Sequence, residues 1–418
     1  MKTFTGWQWL LIDLANHFGH DKMLFEERIK WSEDNLNILE SLADKAETKP
    51  LYIKAGMAIR KAQQGIPTGH MVGIDACSSG IQVMSVLTGC LAGATATGLI
   101  DPNVRADAYA LATKVMGDVL GHGVSVSRED AKRCLMTSFY GSKLVPKAIF
   151  GEETPELTAF YYAAHQVAPG AWELLQDLLA SWKPYALSHA WKLPDGFDAR
   201  IKVMVKREVR IEVDELNHAT FTYEFYENQG ARFGLSNVAN LTHSMDAYIL
   251  REMHRKCNYD RAVIQEAALA IEIELIERSL GKQRDQDCLG IYGDYLHPIQ
   301  YYDDQYGRST LASSVILPYV NCDTVGYLTT DHLRALAGIV GGMLSYEPFE
   351  LVTVHDEFKA HANNIDHVRY QYKEILADIA DSSVLNDLLS QLHGRPGTFN
   401  KTPSNLGDLI RKGEYGLC

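Results

Sequence analysis

The sequence predicts an α+β fold, mainly helical, with its strands gathered into one small antiparallel sheet. Three observations point there. Apolar residues recur at helical spacing through most of the chain, alternating runs are few and dispersed, and no repeat or low-complexity tract breaks the pattern. The first 45 residues read as helix, with Trp7, Leu10, Leu11, Leu14 and Phe18 on one face. A second helix is expected from about Phe25 to Ala43. The apolar run Met71–Ile74 leads into Asp75 as a buried strand. Helices are expected over 104–120 and 128–143. Residues 198–226 alternate as strands, and LVTVHDEF (351–358) is also β-rich. Residues 261–280 form an amphipathic helix followed by a Tyr-rich loop at 292–306, and 365–390 is helical again.

A chain of 418 residues suggests two or three lobes. Its 46% hydrophobic and 22% charged residues exclude general disorder. Forty Lys and Arg against 53 Asp and Glu leave a net charge of −13, so polyanions would have to be held by local basic groups or by a partner. Seven scattered cysteines (Cys77, Cys90, Cys134, Cys257, Cys288, Cys322, Cys418) form no CxxC pair, which fits reduced thiols. Residues 1–20 are not a secretory signal, since Asp13 and other polar groups interrupt them. From Ile81 to Ile100 there is no charge, long enough on paper to span a bilayer. The Gly, Thr, Ser and Gln within it favour a buried helix and loop, so no membrane is expected.

Three segments carry chemistry. In GIDACSSGIQ (73–82) an acid directly follows an apolar strand, which places Asp75 at a sheet edge facing a cavity. In VTVHDEF (352–358) Asp356 sits at the bend of a β-hairpin. Two such carboxylates suit two hard divalent cations about 3.5–4 Å apart, an arrangement that clamps both oxygens of a phosphoryl transfer. In the third segment Arg128, Lys132, Met136 and Tyr140 recur every four residues along one helix face. Two cations there could hold a triphosphate and the tyrosine could touch sugar or base, with Gly141 closing the helix. Taken singly, each acid reads as a turn or cap residue and the basic face as solvated surface. The joint order is far more specific.

That order resembles the three polymerase motifs of the phage and mitochondrial single-subunit RNA polymerases. The resemblance extends to residues 6–31, with Asp21-Lys22 where the family has a phosphate-contacting lysine. It also covers LPDGF (193–197), NLTHS (240–244) and the tail NLGDLIRKGEYGLC (405–418), similar to the family's C-terminal foot. It implies a right-hand polymerase: palm-associated helices over 1–67, palm with the first acid over 68–100, fingers over 101–243, and palm with the second acid over 244–418, interrupted by an insertion at about 257–350. It implies two Mg²⁺ ions on Asp75, Asp356 and the Ala76 carbonyl. Lys22, Arg128 and Lys132 would hold the incoming ribonucleoside triphosphate, with Tyr140 beside base and ribose and His243 recognising the 2′-OH. His355 would lie near the RNA 3′ end, and Gly141, Ser142 and Lys143 on the template side. The 3′-OH would attack the α-phosphate in line, with Lys132 helping to neutralise the pyrophosphate.

The related DNA polymerases share these motifs but carry a blocking Glu five residues after the first acid and an aromatic residue four after the helix lysine. Here those positions are Gly80 and Met136, which favour RNA synthesis. His355-Asp356-Glu357 departs toward the DNA enzymes, so DNA synthesis remains an alternative, as does a non-catalytic nucleic-acid-binding scaffold. The resemblance lacks the family's thumb, its N-terminal promoter-reading domain and the palm element that grips the hybrid. The pattern is similar to the larger chain of the split, two-subunit phage RNA polymerases. It implies a heterodimer whose second subunit supplies the thumb and N-terminal palm, working on a DNA template and nascent RNA in the cytoplasm of an infected bacterium. The 257–350 segment, rich in Tyr292, Tyr295, Tyr301, Tyr302 and Tyr306, would dock that subunit or a single-strand-binding or DNA-loading protein, or else pack on the palm as a stabilising insertion.

Overall fold

The computed structural model describes residues 1–121, 126–281, 293–397, 401 and 405–418. The expectations for Cys288 and Tyr292 lie outside these residues, as does the side chain of Tyr295. Helices dominate, with small antiparallel sheets, so the α+β class holds.

The strands do not form one sheet. β1 (Met71–Asp75), β6 (Val352–Val354) and β7 (Glu357–His361) make a three-stranded antiparallel sheet in the order β1-β7-β6. Among the described residues β2 (Ser188–Lys192) pairs only with β3 (Asp198–Lys202), and β4 (Met204–Val213) only with β5 (Ala219–Asn228). The alternation in 188–228 is satisfied between neighbouring strands, so each pair closes as a local hairpin and none reaches the central sheet.

Behind the central sheet lie three mutually packed helices, Ser79–Thr88, Ser236–Cys257 and Ile365–Asp381. Gly80 through Thr88 are all buried, which explains the uncharged stretch after Asp75. Each fully buried Val or Leu there contributes about 1.5–3 kcal/mol. Gly89, at φ 72°, ends that helix and Leu91–Ala96 follows. Among the described residues no helix is long and apolar enough to cross a membrane. The buried Gln82 is held by donating to the carbonyls of Thr97 and Gly416 and accepting from the Tyr372 hydroxyl.

Several helix boundaries differ from expectation. Gly6–Ala15 starts on a Thr5–Gln8 capping box but gives way to a wide turn at Asn16–His20, where Gly19 takes φ 112°. Phe18 therefore leaves the predicted stripe and packs against Trp31 and Tyr52. The second helix stops at Asn35 and continues as short helical turns to Lys45. The third begins at Ala108, capped by Asp107, so residues 104–107 are loop. Arg128–Ser138 ends before Tyr140, which lies in the following turn. The Tyr-rich segment is helix, Gly293–Ser309, rather than loop.

A second hydrophobic cluster, from Ile264 to Met343, lies wholly within the 257–350 segment. It docks through buried polar anchors. Glu252 accepts from the Ser313 hydroxyl at 2.6 Å and from the Ser314 amide and hydroxyl at 3.0 and 2.8 Å. Asp195, in the LPDGF turn, pairs with Arg251 and Arg255 and so fixes the helix Ser236–Cys257.

Candidate active site

Asp75 ends β1, and Asp356 lies in the tight turn that joins β6 to β7. Antiparallel register sets Asp75 opposite Glu357, so the turn delivers Asp356 beside the end of β1. His355 is held at φ 55°, an uncommon conformation for a side-chain-bearing residue, and this strain sits at the turn that presents the acid. The Ala76 amide donates to the Asp356 carbonyl at 3.3 Å, locking the two acidic segments together. The tail closes the third side: Ala76 bridges Leu417, and the Cys77 amide donates to the Gly416 carbonyl.

These elements wall one cleft of about 370 Å³, lined by Lys22, Asp75, Ala76, Gly80, Arg128, Lys132, Met136, Tyr140 and Asp356 among others. Nine of the residues singled out in the sequence therefore meet in one place, although they come from four separate segments. His243, His355, Gly141, Ser142 and Lys143 do not line it. His243 is next door, its ring 4.7 Å from that of Tyr140. Gly141, at φ 89°, turns the chain back against Val238 after the tyrosine.

The Tyr140 phenol lies directly over Gly80: a Cβ placed there would meet its hydroxyl at 2.7 Å. Tyr140 thus occupies the space beside Gly80, and both residues line the cleft. Glu357, the residue that departs toward the DNA enzymes, faces β1. Its carboxylate covers Gly73, where a Cβ would meet it at 2.3 Å, and pairs with Lys359 at 3.0 Å.

Residues 3–149 match the family of DNA-dependent RNA polymerases. No curated protein matches the chain. The match includes Lys22, Asp75, Arg128, Lys132 and Tyr140, and it supports a DNA-directed RNA polymerase, a nucleotidyltransferase, at the level of the family. Asp356 and His243 lie beyond the matched polymerase segment and reach it only through the fold.

Electrostatics suit a cation beside Asp75 and Asp356. Enclosure by protein, then the charges of Asp356 and Glu357, push Asp75 up to about 6. Asp246, on the helix that carries His243, is pushed up to about 7 by burial and then by Asp356. Crowded carboxylates with raised pKa values are relieved by a divalent ion, and oxygen-only donors fit a hard one. Among the described residues the one cluster of three potential ligands is elsewhere: Glu212, Asp214 and His218 at the exposed tip of the β4–β5 hairpin, where His218 bonds Glu212 at 2.8 Å.

Sequence reasoning missed Tyr109, Asp107 and Arg105. Tyr109 accepts from Ser78 at 2.7 Å, and its ring lies under Arg128. Against burial, bonds from the Ala110 amide and from Arg128 hold Asp107 below the usual carboxylate range. All three were absorbed into a helix drawn from 104. Asp107, directly before the run that starts at Ala108, was the cap signal that would have freed Arg105 and Asp107, whereas Tyr109 does lie in the helix.

Proposed function

We propose that this chain is the catalytic palm-and-fingers subunit of a split, phage-encoded RNA polymerase, acting in the cytoplasm of the host. The observation that carries the reading is the convergence of Asp75 and Asp356 on one cleft with Lys132 and Tyr140. On this reading the central sheet with its three helices is palm, 101–243 is fingers, and the tail is the foot beside the acids. Asp75, Asp356 and the Ala76 carbonyl would hold two Mg²⁺ ions, which supply Lewis-acid stabilisation of the attacking and leaving oxygens. Lys22, Arg128 and Lys132 bind the triphosphate. Tyr140, backed by His243, sits where base and ribose would lie and sets the sugar preference. His355 lies toward the RNA 3′ end, and Gly141, Ser142 and Lys143 toward the template.

A second subunit would supply the thumb. Support comes from the β4–β5 hairpin, whose Val209, Ile211, Phe221 and Tyr223 share one face and are each more than 40% exposed. The 257–350 segment, with a core of its own, is the second candidate platform, for that subunit or for a single-strand-binding or DNA-loading protein.

The test is nucleotide addition on a preassembled RNA–DNA scaffold with Mg²⁺, using the chain alone and the chain with its co-purifying partners. Ribonucleotide addition by the assembly, abolished by Asp356→Asn with the fold retained, is the expected result. Tyr140→Phe should keep RNA synthesis and weaken rejection of deoxynucleotides. A preference of the wild type for deoxynucleotides would favour the DNA polymerase reading. No Mg²⁺-dependent turnover in any assembly would leave a scaffold.

A further inference from the structure

Four cations line the cleft: Lys22, Arg105, Arg128 and Lys132. Two already have carboxylate partners. Arg128 donates to Asp107 through Nε and Nη2 at 2.9 and 2.6 Å, and Lys22 pairs with Asp21. Arg105 does not. Its Nη1 donates to the neighbouring Ala106 carbonyl at 2.7 Å, while its Nε is buried and bonded to nothing. Among the described residues no carboxylate lies within ion-pair distance of it. Burial opposes its charge, but Cys418, Cys77, Asp21 and Asp107 outweigh burial and raise its pKa without bonding it.

A guanidinium cannot shed its proton to escape such a setting. Leaving a buried donor unpaired is unfavourable, more so when the group is charged. The cleft therefore holds a half-buried guanidinium whose enclosed Nε is a spare donor, in a planar fork that matches the oxygens of a phosphate. Arg105 is also ordered in advance. It lies in the loop just before the Asp107 cap, and Asp107 is itself fastened to Arg128.

We infer that Arg105 is a further substrate-binding residue, which grips a terminal phosphate of the incoming nucleotide and makes the site select triphosphates over diphosphates. This rests on the polymerase reading of the same cleft. Arg128 is paired with Asp107 and Lys22 with Asp21, so among the described residues Arg105 and Lys132 are the cleft cations with no carboxylate in ion-pair distance. The same chemistry could instead serve a phosphate of a nucleic-acid backbone, and the test separates the two sources.

Binding of inorganic tripolyphosphate, pyrophosphate and a single-stranded oligonucleotide to the full chain is measured by calorimetry with Mg²⁺. The proteins compared are the wild type, Arg105→Ala, Arg105→Lys, Lys132→Ala and the surface control Arg200→Ala. Arg105→Ala should weaken tripolyphosphate about tenfold or more and pyrophosphate less, with the oligonucleotide unchanged. Arg105→Lys should recover part of the loss, and it keeps the test valid if the alanine variant misfolds. Unchanged tripolyphosphate binding in Arg105→Ala, with Lys132→Ala weakened, overturns the role of Arg105 and leaves the polymerase reading standing. Loss of oligonucleotide binding instead overturns it in favour of the backbone. A wild type that binds no polyphosphate overturns both.

Discussion

Gly80 and Tyr140 compete for one volume, and that competition makes a sharp prediction at the scale of single residues. A methyl group at position 80 would sit 2.7 Å from the tyrosine hydroxyl, so Gly80→Ala must displace the phenol from the cleft. Alanine is the better helix former by about 1 kcal/mol, and the backbone at 80 is helical. Stability should therefore hold or rise while nucleotide addition falls about tenfold or more. An unchanged rate would mean that Tyr140 can stand elsewhere without cost. Asp75 offers a second prediction, with its sign fixed by linkage. Its pKa is raised to about 6 in the folded chain, against about 3.9 unfolded. The acid is therefore neutral in the fold at low pH, and it destabilises the fold increasingly as pH rises from about 4 to about 6. Above that range Asp75→Asn should raise stability by about 1 kcal/mol without divalent ions, after allowance for the open side of the cleft. Mg²⁺ should raise the wild-type melting temperature more than that of the variant. Equal responses to Mg²⁺ would count against Asp75 as a ligand.

Elements were legible where one period dominated and illegible where capping decided. The strand ending at Asp75 and the hairpin bend at Asp356 followed from short apolar runs that stop at an acid, and the basic helix followed from its spacing. The end of that helix did not, because Phe139, Tyr140 and Gly141 continue the pattern while the backbone turns at Gly141. The mistake proved harmless to the site: the turn still delivers Tyr140 to the cleft. The expected single sheet failed for another reason, since alternation reports a strand but not its partner. The β4–β5 hairpin shows this best. Its ten-residue strands pair only with each other and leave Val209, Ile211, Phe221 and Tyr223 in solvent. Replacing Val209, Phe221 and Tyr223 by Ser removes no core contact, so the main thermal transition should move by less than about 2 °C. Recovery of the proposed second subunit should drop several-fold. Undiminished recovery would shift the docking surface to the 257–350 segment.

At the scale of the whole molecule the chain is acidic, yet its cleft gathers Lys22, Arg105, Arg128 and Lys132 beside Asp21, Asp75, Asp107 and Asp356, so its positive charge is a local feature. Composition gave the first half of that statement, and only the fold could give the second. The same holds for the two hydrophobic clusters. The helix at 261–280 was plain from its spacing, but nothing in its pattern said that it would help build a separate core. Where the 257–350 segment rejoins the main body, His367 is enclosed by Tyr346 at 4.1 Å and Phe349 at 5.4 Å. Burial pushes its pKa down to about 4, offset only in part by the Lys256 backbone. The folded chain thus holds His367 neutral, whereas the unfolded chain protonates it below about 6.5. Its contribution to stability is intact above that value and is lost as pH falls toward 4, by at most about 1.4 kcal/mol per pH unit. Asp75 and Asp246, with raised values, pull the other way over the same range, so the total slope is not diagnostic. The difference between wild type and His367→Phe is. Phenylalanine keeps a ring among the aromatic neighbours but cannot titrate. The two proteins should melt within a few degrees of each other at pH 7.5, and the variant should become the more stable of the two between pH 5 and 4. Parallel melting curves across that range would mean that the junction opens, or admits water to His367, before the rest of the chain unfolds.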